Sequence, residues 1–152
     1  MLVGLVVVLA AGAVIGLFQV ACRADPQVLD VARRRLEQLP SEEQAGIGGL
    51  AVVDFSRPGW HRRLALYDRS GNLVNTFLVA HARDSGDYVS AVSFSNEIDS
   101  NQSSLGLYRV LQVYEGEHGS AVRLEGLDPG INDHAFERDI CLLYTSDAAD
   151  DN

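Results

Sequence analysis

The amino-acid sequence predicts a mainly β fold, a sandwich or barrel, preceded by an N-terminal apolar helix and a short amphipathic helix. Three observations carry that expectation. Apolar residues recur at spacings of three and four between Leu29 and Leu39, and at spacing two from Leu50 onward. Strand-like runs are separated by turn chemistry such as Arg69-Ser70-Gly71-Asn72. No segment repeats, which sets aside solenoids and propellers. A length of 152 residues suggests one domain.

Residues 1–21, MLVGLVVVLAAGAVIGLFQVA, carry no charged side chain, and Gln19 is their only clearly polar residue. An apolar helix of about 20 residues spans a bilayer. Residues 1–22 are therefore expected to be a signal peptide or a membrane anchor, with membrane contact through residues 1–21. No Arg precedes this run, whereas Arg23 and Arg33-Arg34-Arg35 follow it. Taken literally, the positive-inside rule would hold the remainder in the cytoplasm. The simpler reading is that Met1 is not the true start and that a basic segment belongs upstream. Cys22 invites lipidation, but Gln19 stands where a lipobox wants Leu.

Residues 25–47 read as a helix and a linker. Asp25 is suited to the N-cap and Pro26 to the first helical position. Leu29, Ala32, Leu36 and Leu39 make one face, the three arginines its solvated side, and Pro40 ends the helix. SEEQAGIGG (41–49) is expected to be a loop. The β domain follows from residue 48. LAVVDF is a buried strand. In RRLALYD, Leu64 and Leu66 lie on one face, with Arg63, Ala65 and Tyr67 on the other. LVNTFLVAH returns after the RSGN turn, so residues 62–81 form a hairpin. A long polar stretch from Ala82 to Gly106 intervenes, of a length that is often functional. LYRVLQVY and SAVRLEGL pair across the EGEHG turn, and DPGIND is a further turn.

The net charge of −9 argues against nucleic acid as a partner, because a phosphate-binding face needs a basic surplus. All 12 basic residues are Arg, which reads as a bias toward GC-rich codons. Two cysteines, Cys22 and Cys141, are too few for a disulfide framework. His61, His81, His118 and His134 lack the spacing of a metal site. DPGINDHAFE resembles a calcium loop only superficially, without alternating acidic ligands or the correctly spaced final Glu. A nucleophile-elbow Ser and phosphate-cradling glycines are missing from the sequence. SFSN (93–96) and SSLG (103–106) flank the polar insert. Their hydroxyls either satisfy backbone groups at tight turns or line a groove for an extended peptide. His81, Ser95, Asn96, Ser103, Ser104 and Tyr108 are the groove candidates. His81 ends a strand beside Ser85-Gly86, where a structural role competes with a groove-lining one.

AVVDFSRP, RRLALYD, LVAHARDSG, FSN, SSLGLYRV, YEGEHG, VRLEGLDPGIND and AFERDI occur in that order. Together they resemble the murein L,D-transpeptidase catalytic-domain family of the YkuD type, over residues 50–140. Two departures are Ala82, where the family usually has Gly, and SRPGWHRR, where it tends to have a Ser-containing turn. The resemblance implies a cell-envelope protein, periplasmic or extracytoplasmic, acting on peptidoglycan stem peptides without metal or cofactor. A cysteine thiolate attacks the carbonyl following the diaminopimelate L-centre, and the terminal D-Ala leaves. The amine of a second stem then takes the acyl group, making a 3→3 crosslink. The implied chemistry needs a His to activate the Cys and N–H donors for the oxyanion.

The family carries that His in a His-Gly segment and the Cys in a later Ser-x-Gly-Cys segment, both after an Arg-x-Ile strand. Here the strand is Arg138–Ile140, and CLLYTSDAADDN follows with neither motif. The resemblance thus implies that the expected Cys and His lie beyond Ile140 and are absent, so residues 48–140 are a partial catalytic domain and the fragment is inactive. Cys141 is then not the nucleophile. Residues 141–152 resemble the translation of a sequencing adapter, a non-native read-through tail. Leu142, Leu143 and Tyr144 would extend the Ile140 strand by two or three residues, and Ser146–Asn152 are expected to be disordered. The alternative is a non-enzymatic cell-wall-binding β module.

Overall fold

A computed structural model describes residues 4–10, 25–116 and 119–144 of the chain. Seven strands form one sheet in the order β4-β3-β2-β1-β5-β6-β7. They are β1 Gly4–Ala10, β2 Ile47–Asp54, β3 Leu64–Asp68, β4 Leu73–Phe77, β5 Gly106–Gly116, β6 Gly119–Gly126 and β7 Cys141–Tyr144. β2, β3 and β4 are antiparallel, as are β5, β6 and β7. β1 joins these two blocks, parallel to β2 and antiparallel to β5. The mainly β expectation holds, as do the two hairpins.

The apolar helix expected at the N-terminus is corrected where the structure describes it. Gly4–Ala10 is extended, with Val6 opposite both Leu50 and Arg109. Val6, Val7 and Val8 are β-branched and favour the pleated backbone. Periodicity alone does not distinguish a short, continuous apolar strand from a helix. Residues 11–24, with the rest of the expected anchor and Cys22, lie outside the described residues. Among the described residues no helix is long and apolar enough to cross a membrane.

β2 alternates between two cores. Leu50 and Val52 face one with Ala65, Tyr67 and Leu107; Ala51 and Val53 face the other with Phe55, Tyr108, Leu124 and Ala135. The first is closed by helix α1, Pro26–Glu37, through buried Val28 and Ala32 with Leu29 and Leu36 beside them. Asp25 caps α1 by accepting from Gln27 N at 2.8 Å, and Pro26 follows at the first position. The second core is roofed by the segments around Val79–Leu105 and Ala135–Ile140.

Two expectations for the linker are revised. Ser41–Gly46 is a short helix, α2, rather than a loop. Pro40 ends one helix and, as N-cap, starts the next. Glu42 and Glu43 lie in the first turn, where carboxylates suit the helix dipole. Gln44 Nε2 donates back to Glu37 O at 3.0 Å and Leu39 O at 2.6 Å, closing the corner. Nor are the three arginines all solvated. Arg34 makes an exposed pair with Asp30, whereas Arg35 reaches the buried carboxylate of Asp128.

Asp128 shows why DPGIND is a structural knot. Its Oδ2 accepts from Leu107 N at 2.8 Å, and its own N–H donates to Asn132 Oδ1 at 2.9 Å. Asn132 Nδ2 donates to Leu107 O at 2.9 Å. The buried Asn132 thus completes the start of β5 where α1 is pinned. Gly126 is required beside it, because a Cβ there would overlap the Asn132 carbonyl oxygen. Replacing Asn132 with Ala leaves the Asp128 N–H buried without its partner and leaves Leu107 O with Leu127 N alone. The expected loss is about 2–4 kcal/mol, read as a lower urea midpoint with an unchanged slope.

Candidate functional site

The polar stretch after β4 folds against one face of the sheet, and buried polar groups hold it there. A 3₁₀ turn at Arg83–Ser85 carries Ser85 into the interior. Ser85 O accepts from Val92 N at 2.7 Å and Ser93 N at 2.9 Å, and its Oγ accepts from Ser103 N at 2.7 Å. Ser103 Oγ in turn accepts from Ala82 N at 2.9 Å. Ser95 N donates to Ser103 O at 3.1 Å, joining the two ends of the insert. Asp99 and Asn101 take left-handed backbone angles at its tip, with φ of 62° and 52°, a conformation that Asp and Asn tolerate best after glycine.

Arg138 clamps this loop. Its Nη1 donates to Ser95 O at 2.6 Å and Ser104 Oγ at 3.2 Å. Its Nη2 donates to Ser100 Oγ at 2.9 Å and to Gln102 O. Tyr108, fully buried on β5, donates its hydroxyl toward Ser104, with O at 2.9 Å and Oγ at 2.8 Å. Burial pushes the Tyr108 phenol above its ordinary pKa, with Ser104 opposing that shift.

The predicted groove residues therefore occupy two layers. Ser103, Ser104 and Tyr108 are buried and bonded within the protein. His81, Ser95 and Asn96 are half-buried. Asn96 is joined to the segment after β6: its Nδ2 donates to Asp133 Oδ1 at 2.7 Å, and its Oδ1 accepts from His134 N at 3.1 Å. His134 Nδ1 lies 3.1 Å from Asn96 O and so donates to it. An open cleft of about 440 Å³ is lined there by Asn96, Glu97, Ile98, Gly130 and His134.

A second polar cluster lies at His81. Arg63, 2% exposed, donates through Nη2 to His81 Nδ1 at 2.8 Å, through Nε to Val79 O at 3.0 Å and through Nη1 to Arg57 O at 3.1 Å. Its guanidinium lies 4.9 Å from the Phe55 ring centre. Burial lowers the Arg63 pKa, and the nearby Asp54 carboxylate opposes this. Asp54 Oδ1 accepts from Ser56 N and Oγ. Its buried Oδ2 has no hydrogen bond, and Arg57 Nε stands 3.6 Å away.

The remaining candidates separate from these clusters. His61 lies beside Trp60 on a turn, and His118 falls outside the described residues. Cys141 sits on β7 beside Tyr114, whose phenol it pushes above its ordinary pKa. Among the described residues no histidine hydrogen-bonds Cys141 and no group of three or more His, Cys, Asp or Glu is placed to hold a metal. Sequence reasoning missed Arg63, Ser85, Asp128, Asn132 and Arg138 as organisers. Arg63 alone left a signal, an arginine in phase with Ala65 and Tyr67 on a buried strand face.

Residues 21–152 match the family model for the L,D-transpeptidase catalytic domain, YkuD_2. The chain belongs to this family. No curated protein and no solved structure matches it. The L,D-transpeptidase family acts on peptidoglycan peptides and is typically found in the cell envelope. In this L,D-transpeptidase domain the matched span takes in both helices, the polar loop and its Arg138 clamp.

The buried phenol makes the clamp testable by pH. Tyr108 should stay protonated above pH 10, where exposed tyrosines ionise, until unfolding frees it. Because its folded pKa is raised, its contribution to stability is fully present below pH 10 and is lost as pH climbs through the folded value. Ultraviolet titration should show one fewer delayed tyrosine in Tyr108→Phe than in the unmodified chain, where Tyr114 is also raised, and the variant is expected to lose about 1–3 kcal/mol.

Proposed function

We propose that this chain carries the substrate-facing wall of a peptidoglycan L,D-transpeptidase that joins stem peptides by cysteine acyl transfer, making 3→3 crosslinks in the cell envelope. The observation that carries the reading is the clamped loop. A long polar segment is held rigidly against a sheet by Arg138, Ser85 and Tyr108, and its half-buried face offers His81, Ser95 and Asn96. A pre-ordered, hydrogen-bonding wall suits an extended peptide, since ordering a flexible loop on binding would cost affinity. Ser103, Ser104 and Tyr108 serve from behind that face by holding its backbone in place.

On this reading Cys141 is not the nucleophile. A catalytic thiol needs a base within hydrogen-bond reach, about 2.6–3.2 Å, and Cys141 instead adjoins the Tyr114 phenol. The 152-residue chain is proposed to bind stem peptide without acyl transfer. Intact mass spectrometry after exposure to a carbapenem, an acylating β-lactam, should show no covalent adduct. An adduct that disappears in Cys141→Ala would overturn the assignment and make Cys141 the nucleophile.

A further inference from the structure

We infer that Arg63 sets His81 as a fixed hydrogen-bond donor, through Nε2–H, for a carbonyl oxygen of an extended peptide lying along the polar loop. The inference rests on the proposed peptide wall and gives it a specific contact. Arginine has only donors, so the 2.8 Å contact from Arg63 Nη2 makes His81 Nδ1 the acceptor. A ring that accepts at Nδ1 is neutral and carries its hydrogen on Nε2. The guanidinium is held by Val79 O and Arg57 O as well, and Phe55 lies under it and edge-on to His81, with ring centres 6.4 Å apart at 90°. Neither partner is free to turn away.

Two charged groups bear on the ring. Arg63 donates to it at Nδ1, and Asp87, which accepts from Val89 N and Ser90 N, lies near it. Among the described residues Nε2 has no hydrogen-bond partner. The half-buried ring adjoins Ala82, whose N–H is already committed to Ser103 Oγ, and Nε2–H is a side-chain donor this corner leaves over. The nearby Asp87 carboxylate disfavours a second carboxylate, which selects a neutral amide carbonyl as the acceptor. Arg63 is a positioning residue here and His81 the contact.

The test is nitrogen-15 NMR of the full, uniformly labelled chain, with and without excess stem tetrapeptide. The expected result is a neutral His81 with a lone pair on Nδ1 and hydrogen on Nε2, and an Nε2–H resonance that shifts with peptide. His81→Gln keeps a donor near the Nε2 position and should bind peptide close to the unmodified chain. His81→Phe should bind roughly five- to tenfold more weakly, the worth of one hydrogen bond. A protonated ring or the opposite tautomer in the unmodified chain would overturn the inference without any variant. Shifts in residues 82–105 that leave His81 untouched would overturn it while sparing the peptide wall. No shift anywhere would overturn both.

Discussion

The rest of the site depends on one constraint: a long loop laid over a hydrophobic core must have its polar groups answered from beneath. Arg138 answers much of it with one guanidinium, reaching Ser95 O, Gln102 O, Ser100 Oγ and Ser104 Oγ. Arginine suits the task because its donors lie in one rigid plane and it stays charged at any relevant pH. Tyr108 and Ser85 complete the work from β5 and from the loop itself. Each unanswered buried group would cost about 1–3 kcal/mol, so the loop has few alternative conformations of comparable energy.

The sheet supplies the platform for this arrangement. β2 presents Leu50 and Val52 to one side and Ala51 and Val53 to the other, so each face needs its own cover. Helix α1 covers one and is fixed by Arg35 on Asp128. The loop and the turns before β7 cover the other. Asp128 and Asn132 lie between the two, since they hold the start of β5 while α1 pairs with the same carboxylate. The helix and the polar loop are thereby referred to one strand, which keeps His81, Ser95 and Asn96 in register with the core.

Much of the framework was legible in the sequence because it obeys local rules. Asp25-Pro26 announced α1, and the alternation of Leu64 and Leu66 with Ala65 and Tyr67 announced the faces of β3. Gly71, with φ of 82°, marks the turn before β4. Residues 4–10 were misread because a short apolar run has no periodicity that separates a buried strand from a helix. The motif series revealed the family without revealing why its residues are needed. Arg35 reads as a solvated charge, and nothing local shows that the partners of Arg35, Arg63 and Arg138 lie on other elements. Arg138 finds Ser95 across 43 positions of sequence, and Arg35 finds Asp128 across 93.

Hydrogen exchange of the backbone amides of residues 82–105 tests most directly whether the loop is a pre-formed wall. Val92, Ser93, Ser95 and Ser103 donate within the clamped structure. Their amides should exchange at least as slowly as those of the flanking hairpin in the peptide-free chain, and should lose that protection in Arg138→Leu. Rapid exchange of these four amides in the unmodified chain, unchanged by the substitution, would contradict the account.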